Sequence, residues 1–177
     1  MRIEELNAET VQQYRHEIAQ FYYENMQTCS CFEHFTFDRA YKKIGGLINH
    51  LSTNTCIAYG AFEDNEIIGY IWAYPHRFRE DNRMYVNEIH VRKDCCSMGY
   101  GRELLSQVEK RAREMGFPAI YLHAEANNVN TRRFYENAGY IEERVQFRKE
   151  LYLCESVQAP SNEEPLEKKT ITGVSNN

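Results

Sequence analysis

The period of the apolar positions changes several times along this chain, and each change marks an element. Met84 to Val91 is rich in Tyr, Val and Ile, which suit a strand. Gly99 and Gly101 then bracket Tyr100 where a helix should begin. Beyond them Leu104, Leu105, Val108, Ala112 and Met115 recur at helical spacing, with charges on the opposite face. Gly116 and Pro118 close that helix in the expected order. Upstream, Ile3 to Leu6 predicts a short first strand. Asn7 or Thr10 is placed to cap a helix running to about Met26, with Val11, Tyr14, Ile18, Phe21 and Tyr22 as its stripe. Asp38 to Leu51 predicts a second helix, weakened or split by Gly45-Gly46. Cys56 to Glu63 and Glu66 to Tyr74 read as two strands of a hairpin turning at Asp64-Asn65. Both are nearly continuously apolar, so both of their faces should be covered. Pro75 is expected to end the second strand and His76 to Asn82 to form a charged loop. Ala119 to Ala124 predicts another strand, Thr131 to Asn137 a short helix, and Tyr140 to Tyr152 one or two final strands. This order predicts a mixed α/β layer fold around one sheet.

Composition narrows the class. A length of 177 residues suits a single domain. From Glu155 onward the chain has no aromatic residue and is dominated by Ser, Asn, Glu, Pro and Thr. Residues 1–154 are therefore expected to fold, and 155–177 to be a polar tail. The net charge of −5 argues against bulk nucleic-acid binding. No stretch reaches the roughly 18 apolar residues of a membrane span. The opening MRIEELNAET has no apolar signal core, so a cytoplasmic chain is expected. The cysteines (Cys29, Cys31, Cys56, Cys95, Cys96 and Cys154) then read as reduced thiols, and their spacing gives no four-ligand zinc pattern.

The segment from Cys96 to Gly101 carries the first chemical signal. A strand that turns through glycines into a helix presents unpaired N–H groups and the positive end of the helix dipole, which suits a phosphate. Leu104 stands where a dinucleotide fingerprint needs its third glycine, and no Gly-Lys-Ser/Thr of a P-loop follows. The turn resembles the acetyl-CoA turn of the GCN5-related N-acetyltransferase superfamily, Arg/Gln-x-x-Gly-x-Gly/Ala after a strand valine. Val91 and Cys96 keep the family's interval, although Cys96 replaces the usual Arg or Gln. A second segment, Asn128-x-x-Thr131-x-x-Phe134-Tyr135-x-x-x-Gly139-Tyr140, resembles that family's closing signature, Asn-x-x-Ala-x-x-Leu-Tyr-x-x-x-Gly-Phe. The two occur in family order, and the resemblance covers about Leu51 to Leu151.

The resemblance implies a mostly antiparallel central sheet flanked by helices, with acetyl-CoA as co-substrate and no metal. Splayed strands at Val91 and Ala119 to Ala124 would admit the pantetheine arm. Main-chain groups of Ile89, His90 and Val91 would align the thioester. Cys96, Ser97, Met98, Gly99, Tyr100, Gly101 and Arg102 would form the pyrophosphate turn, and Asn128 would bond the pantetheine or order its own turn. Tyr135 would be the general acid, since a phenol keeps its proton at neutral pH. Glu88 or His123 would be the general base; His90 shares Glu88's strand parity if no bulge intervenes. Cys96, close to a helix N-terminus, opens an acyl-cysteine route, but the family implies direct attack in a ternary complex. The acceptor site would be built from the first two helices, the loop Cys29 to Phe37 and the loop Tyr74 to Arg83. Tyr22, Tyr23, Phe32, Phe35, Phe37, Tyr74 and Phe78 line it with aromatic rings. A small-molecule primary amine is the first reading of the acceptor. A protein or peptide amine, or a non-catalytic acyl-CoA-binding module, is the alternative. An exposed edge strand would permit a homodimer; neither nucleic acid nor membrane is an expected partner.

Overall fold

The protein is described by a computed structural model over residues 2–27, 35–78, 80–147 and 149. In chain order the elements are β1 (Arg2–Glu5), α1 (Ala8–Gln13), α2 (Arg15–Gln27), α3 (Phe37–Ser52), β2 (Ile57–Glu63), β3 (Glu66–Phe78) and β4 (Asp81–Val91). A 3₁₀ turn over Lys93–Cys95 leads to α4 (Tyr100–Glu114), β5 (Ile120–Tyr121) and α5 (Val129–Asn137). The sheet runs β1-β2-β3-β4-β5. Every neighbouring pair is antiparallel except β4–β5, which is parallel.

Helices cover both faces of this sheet. On one, Leu104, Leu105 and Val108 of α4 pack on Ile68, Ile71, Met84 and Val86. On the other, Val11, Ile18, Ile44 and Leu47 pack on Ala58, Phe62, Tyr70 and Trp72. That double cover is why β2 and the first half of β3 are apolar at consecutive positions.

Several elements differ from the sequence reading. The first helix breaks at Tyr14 into α1 and α2, with Asn7 Oδ1 accepting the Thr10 N–H at 2.8 Å as its cap. Gly45-Gly46 does not split α3. A Cβ on Gly45 would stand 2.8 Å from Arg15 Nη2, so this glycine admits the guanidinium, which lies over the Tyr41 ring. Pro75 does not end β3, and the expected loop from His76 to Asn82 is mostly strand, with His76 opposite Arg83 and Phe78 opposite Asp81. The reason is register. Met84, the partner of Pro75, turns its N–H away to Ala119 O at 3.0 Å. The pair is therefore non-hydrogen-bonded, and proline's missing donor faces outward beyond the start of β2, where it costs no ladder bond.

The strand expected over Ala119 to Ala124 contracts to Ile120–Tyr121, because only two rows, Met84↔Ile120 and Tyr85↔Tyr121, join β4 to β5. Tyr140 to Phe147 is not strand. Its apolar residues Ile141, Val145 and Phe147 are exposed, and apolar alternation alone makes no strand without a paired edge. Residues 148 and 150–152 of that expectation, and the boundary at 154, lie outside the described residues. Met1–Ile141 is one compact unit, and all the elements above belong to it.

Candidate active site

The central feature of the site is a bulge in β4. Ala73 stands opposite Val86 and Trp72 opposite Glu88, which leaves Asn87 unmatched. Strict alternation would put Val86 and Glu88 on one face. The extra residue turns Glu88 over: Val86 packs in the α4 core, while Glu88 faces α2 and accepts a hydrogen bond from Asn25 Nδ2. His90 follows on the same face as Glu88, because the bulge precedes both. Its ring stacks on Phe21 of α2 at 5.0 Å.

Burial sets the electrostatics here. Glu88 is only 7 % exposed. Desolvation raises its pKa to about 7, against the opposing pull of the Asn25 bond and of Lys43. The same cause lowers His90 to about 4, with Glu24 acting in the other direction. His90 is therefore neutral at physiological pH, and its Nε2 is buried with no hydrogen-bond partner among the described residues.

Tyr135 approaches from the other side of the sheet. Asn128 caps α5, its Oδ1 accepting the Thr131 N–H at 3.1 Å. Two turns on, the Tyr135 ring is buried in the α4 core. Burial first, and then the Glu88 carboxylate and the Tyr85 phenol, hold the Tyr135 hydroxyl well above the ordinary phenol range. His123, just past β5, is exposed, and its Nδ1 is 3.1 Å from Tyr85 Oη. After Tyr85 and Tyr121 the strands part, so the rest of β4, Val86 to Val91, has no parallel partner among the described residues. Beside this opening lies a cleft of about 390 Å³, bordered by Glu24, Asn25, His90, Lys93, Glu125, Asn127 and Asn128.

Beyond Val91 the chain makes a tight bend. Ser97 and Gly99 have φ of 68° and 90°. Gly99 is the N-cap of α4, with no side-chain cap bond, and the first helical acceptor bond is Glu103 N–H to Gly99 O at 3.0 Å. The N–H groups of Tyr100, Gly101 and Arg102 consequently have no acceptor within the helix. The space a Cβ of Gly99 would enter is open. Tyr100 itself is buried beneath the turn, and Met98 is exposed. Cys96 precedes the helix rather than lying in its first turn, and its thiol points back to the Arg92 and Val91 carbonyls at 3.5 and 3.7 Å. Arg102 donates to Asn137 O at 2.9 Å and so ties α4 to the end of α5.

Three features escaped the sequence reading. Asn25, the buried partner of Glu88, is one polar residue among many on an amphipathic helix. The bulge at Asn87 carries no glycine or proline to announce it. Tyr85 looks like an ordinary strand tyrosine until its bond to His123 is seen. Of the expected acceptor aromatics, Tyr22 meets Phe35 and Tyr23 meets Phe37 in the second core, while Tyr74 turns to Tyr85. Cys29, Phe32 and the Phe78 side chain lie outside what is described.

Residues 12–140 match the acetyltransferase (GNAT) family. The chain belongs to that family. It is 25 % identical over 88 residues to the uncharacterized N-acetyltransferase YycN of Bacillus subtilis, a stretch covering 50 % of this chain and 56 % of that protein. It is 26 % identical over 92 residues to the D-amino-acid N-acetyltransferase HPA3 of Saccharomyces cerevisiae, covering 51 % and 57 %. The matched stretches thus span a little over half the length of these two curated relatives. Its fold is shared with an aminoglycoside acetyltransferase from a soil metagenome, at a TM-score of 0.64 and 18 % identity over 85 % of this chain and 96 % of that one. The ribosomal-protein-alanine N-acetyltransferase of Brucella melitensis gives 0.60 and 17 %, over 85 % and 98 %.

Acetyl-CoA, which GNAT acetyltransferases generally use, is matched by the donor set. The bend at Ser97 to Arg102 offers main-chain N–H groups and no Cβ at Gly99, as a pyrophosphate needs, and the gap between β4 and β5 leaves strand backbone open to an amide-bearing arm. Among the described residues, no group of three or more His, Cys, Asp or Glu side chains could hold a metal. No described helix is long and apolar enough to cross a membrane.

Proposed function

We propose that this GNAT protein moves an acetyl group from acetyl-CoA to the primary amine of a small molecule, by direct attack in a ternary complex. One observation carries this reading. A buried carboxyl with its pKa raised to about 7 stands on β4 where that strand loses its parallel partner, and the Tyr135 phenol, which keeps its proton at neutral pH, is within its electrostatic reach. Such a pair is suited to taking a proton from one group and giving a proton to another.

Acetyl-CoA supplies the activated thioester. The N–H groups of Met98 to Arg102 hold its pyrophosphate, Ile89 to Val91 offer main-chain bonds to the pantetheine arm, and Asn128 orders the facing turn. Arg102, tied to Asn137, braces the turn against α5. Glu88 accepts the proton of the acceptor ammonium, directly or through water. His123, held by Tyr85, is the competing base. A β4 N–H stabilises the oxyanion, and Tyr135 donates its proton to the departing thiolate. Cys96 takes no covalent part: its thiol is turned to strand carbonyls.

Glu24 and Glu125 border the cleft beside the strand opening, which suits an amine that arrives as a cation. Similarity to a protein named for D-amino acids favours a small acceptor. Reduced cysteines suit a cytoplasmic setting, and pairing through a sheet edge is the route to a homodimer. Residues 155–177 remain assigned as a polar tail. The deciding experiment is thiol release from acetyl-CoA across a panel of amines and peptides. Turnover with small amines supports the reading. Acetylation of peptides alone replaces the acceptor class, and CoA binding by calorimetry without any turnover leaves a non-catalytic acyl-CoA-binding module.

A further inference from the structure

On the Glu88 face, the rings of β3, β4 and β5 form a continuous layer centred on Tyr85. Tyr74 meets Tyr85 edge-on at 5.3 Å between ring centroids, Tyr121 lies 4.8 Å from Tyr85, and His76 lies 5.8 Å from Tyr121. Tyr85 occupies the last paired row before β4 and β5 separate. This one side chain thus bonds His123 through its hydroxyl and lies within electrostatic reach of Glu88 and Tyr135.

Packing alone does not account for this layer. Trp72 and Tyr70 fill the buried core on this face, whereas Tyr85 and Tyr121 are half-buried and His76 and His123 exposed. Aromatic faces carry negative charge density and attract ammonium groups, while their edges hold apolar carbon. The neighbouring cleft adds two carboxylates, Glu24 and Glu125, against Lys93. Together with Glu88 these features favour a cation on an apolar body over an anion.

We propose that Tyr85 is the acceptor-positioning residue: its ring, backed by Tyr74 and Tyr121, seats the apolar or ring-bearing body of a protonated primary amine, and its hydroxyl fixes the orientation of His123. The inference rests on the acetyltransferase reading, and two measurements keep the two separable. Nitrogen NMR of the His123 imidazole needs no turnover. Tyr85→Phe should move the Nδ1 resonance, and an unmoved resonance overturns the positioning of His123. Steady-state thiol release with phenylethylamine tests the seat. Tyr85→Ala should raise KM for the amine about tenfold with a smaller change in kcat, while acetyl-CoA affinity by calorimetry stays unchanged. Tyr85→Phe should restore KM to within about twofold of the wild type. An unaltered KM in a Tyr85→Ala protein of native circular dichroism overturns the seat. If the wild type turns over no amine, the acetyltransferase reading fails. Phenylethylamine titrated into the protein then decides the seat alone: shifted Tyr85 ring resonances support it, and unshifted ones overturn it.

Discussion

The two halves of the site are built from different material. The half assigned to acetyl-CoA is backbone: a helix N-terminus without a side-chain cap, two residues of positive φ and a stretch of β4 with no parallel partner among the described residues. The half assigned to the acceptor is side chains: Glu88, Asn25, Tyr85 and His123, drawn from α2, β4 and the segment after β5. A backbone site needs only a few residues that permit its conformation, so it should survive replacements such as Cys96 for Arg or Gln. A side-chain site depends on which face of a strand each residue takes, and one bulge decides that. Within one domain, the donor half should therefore tolerate side-chain changes, and the acceptor half should not.

The largest expected effects lie where the halves meet. Tyr135→Phe removes the proposed acid and should lower kcat by about 10² to 10³-fold, with acetyl-CoA affinity by calorimetry unchanged. A loss of affinity of comparable size would move Tyr135 into the donor half instead. Glu88→Gln should lower kcat/KM by about 10²-fold and abolish the activity limb that rises with pH through about 7. An intact limb would hand the base role to His123.

The same substitution has a stability signature. An unfolded chain ionises this carboxyl near pH 4.3, whereas the folded protein holds its proton to about 7. The folded state thus binds the proton more tightly, and stability falls as pH rises between those values, then levels off. Chemical denaturation at pH 8 should find Glu88→Gln more stable than the wild type by up to about 4 kcal/mol, and the gap should close below pH 4.

Smaller effects sharpen the contrast. Gly99→Val forces a β-branched residue into φ of 90° without any clash, since the space beside it is open. Calorimetry should show acetyl-CoA affinity falling about tenfold, on a strain of roughly 1–2 kcal/mol. Cys96→Ala should leave that affinity within about twofold, because this position offers main chain rather than its thiol. A large loss there would put a side chain into the backbone half.

How legible each half was follows from the same distinction. The turn from Cys96 to Gly101 and the segment from Asn128 to Tyr140 could be read in sequence because a positive φ calls for glycine and a helix start calls for an Asn cap. Strand hairpins and amphipathic helices were legible for similar local reasons, through the spacing of Leu104, Leu105 and Val108 or the turn at Asp64-Asn65. Pro75 misled because its cost depends on whether a neighbouring strand wants its N–H, and that is a fact about register. Gly45 misled because its use, admitting Arg15, lies on another helix. Glu88 was singled out by analogy of position, but neither the bulge beside it nor its partner Asn25 was.

By itself, then, the sequence determined the order of most elements, from the first strand to the helix after Asn128, the family and the main-chain turn, since each rests on conformations that neighbouring residues impose. Only the tertiary structure decided the acceptor side. The bulge at Asn87 sets which face Glu88 takes, Asn25 reaches it from a helix 63 residues away, and Tyr85 meets His123 across 38. Those contacts come from the burial of distant elements against one another, and burial is also what moves Glu88 into the range where a carboxyl can act as a base near neutrality.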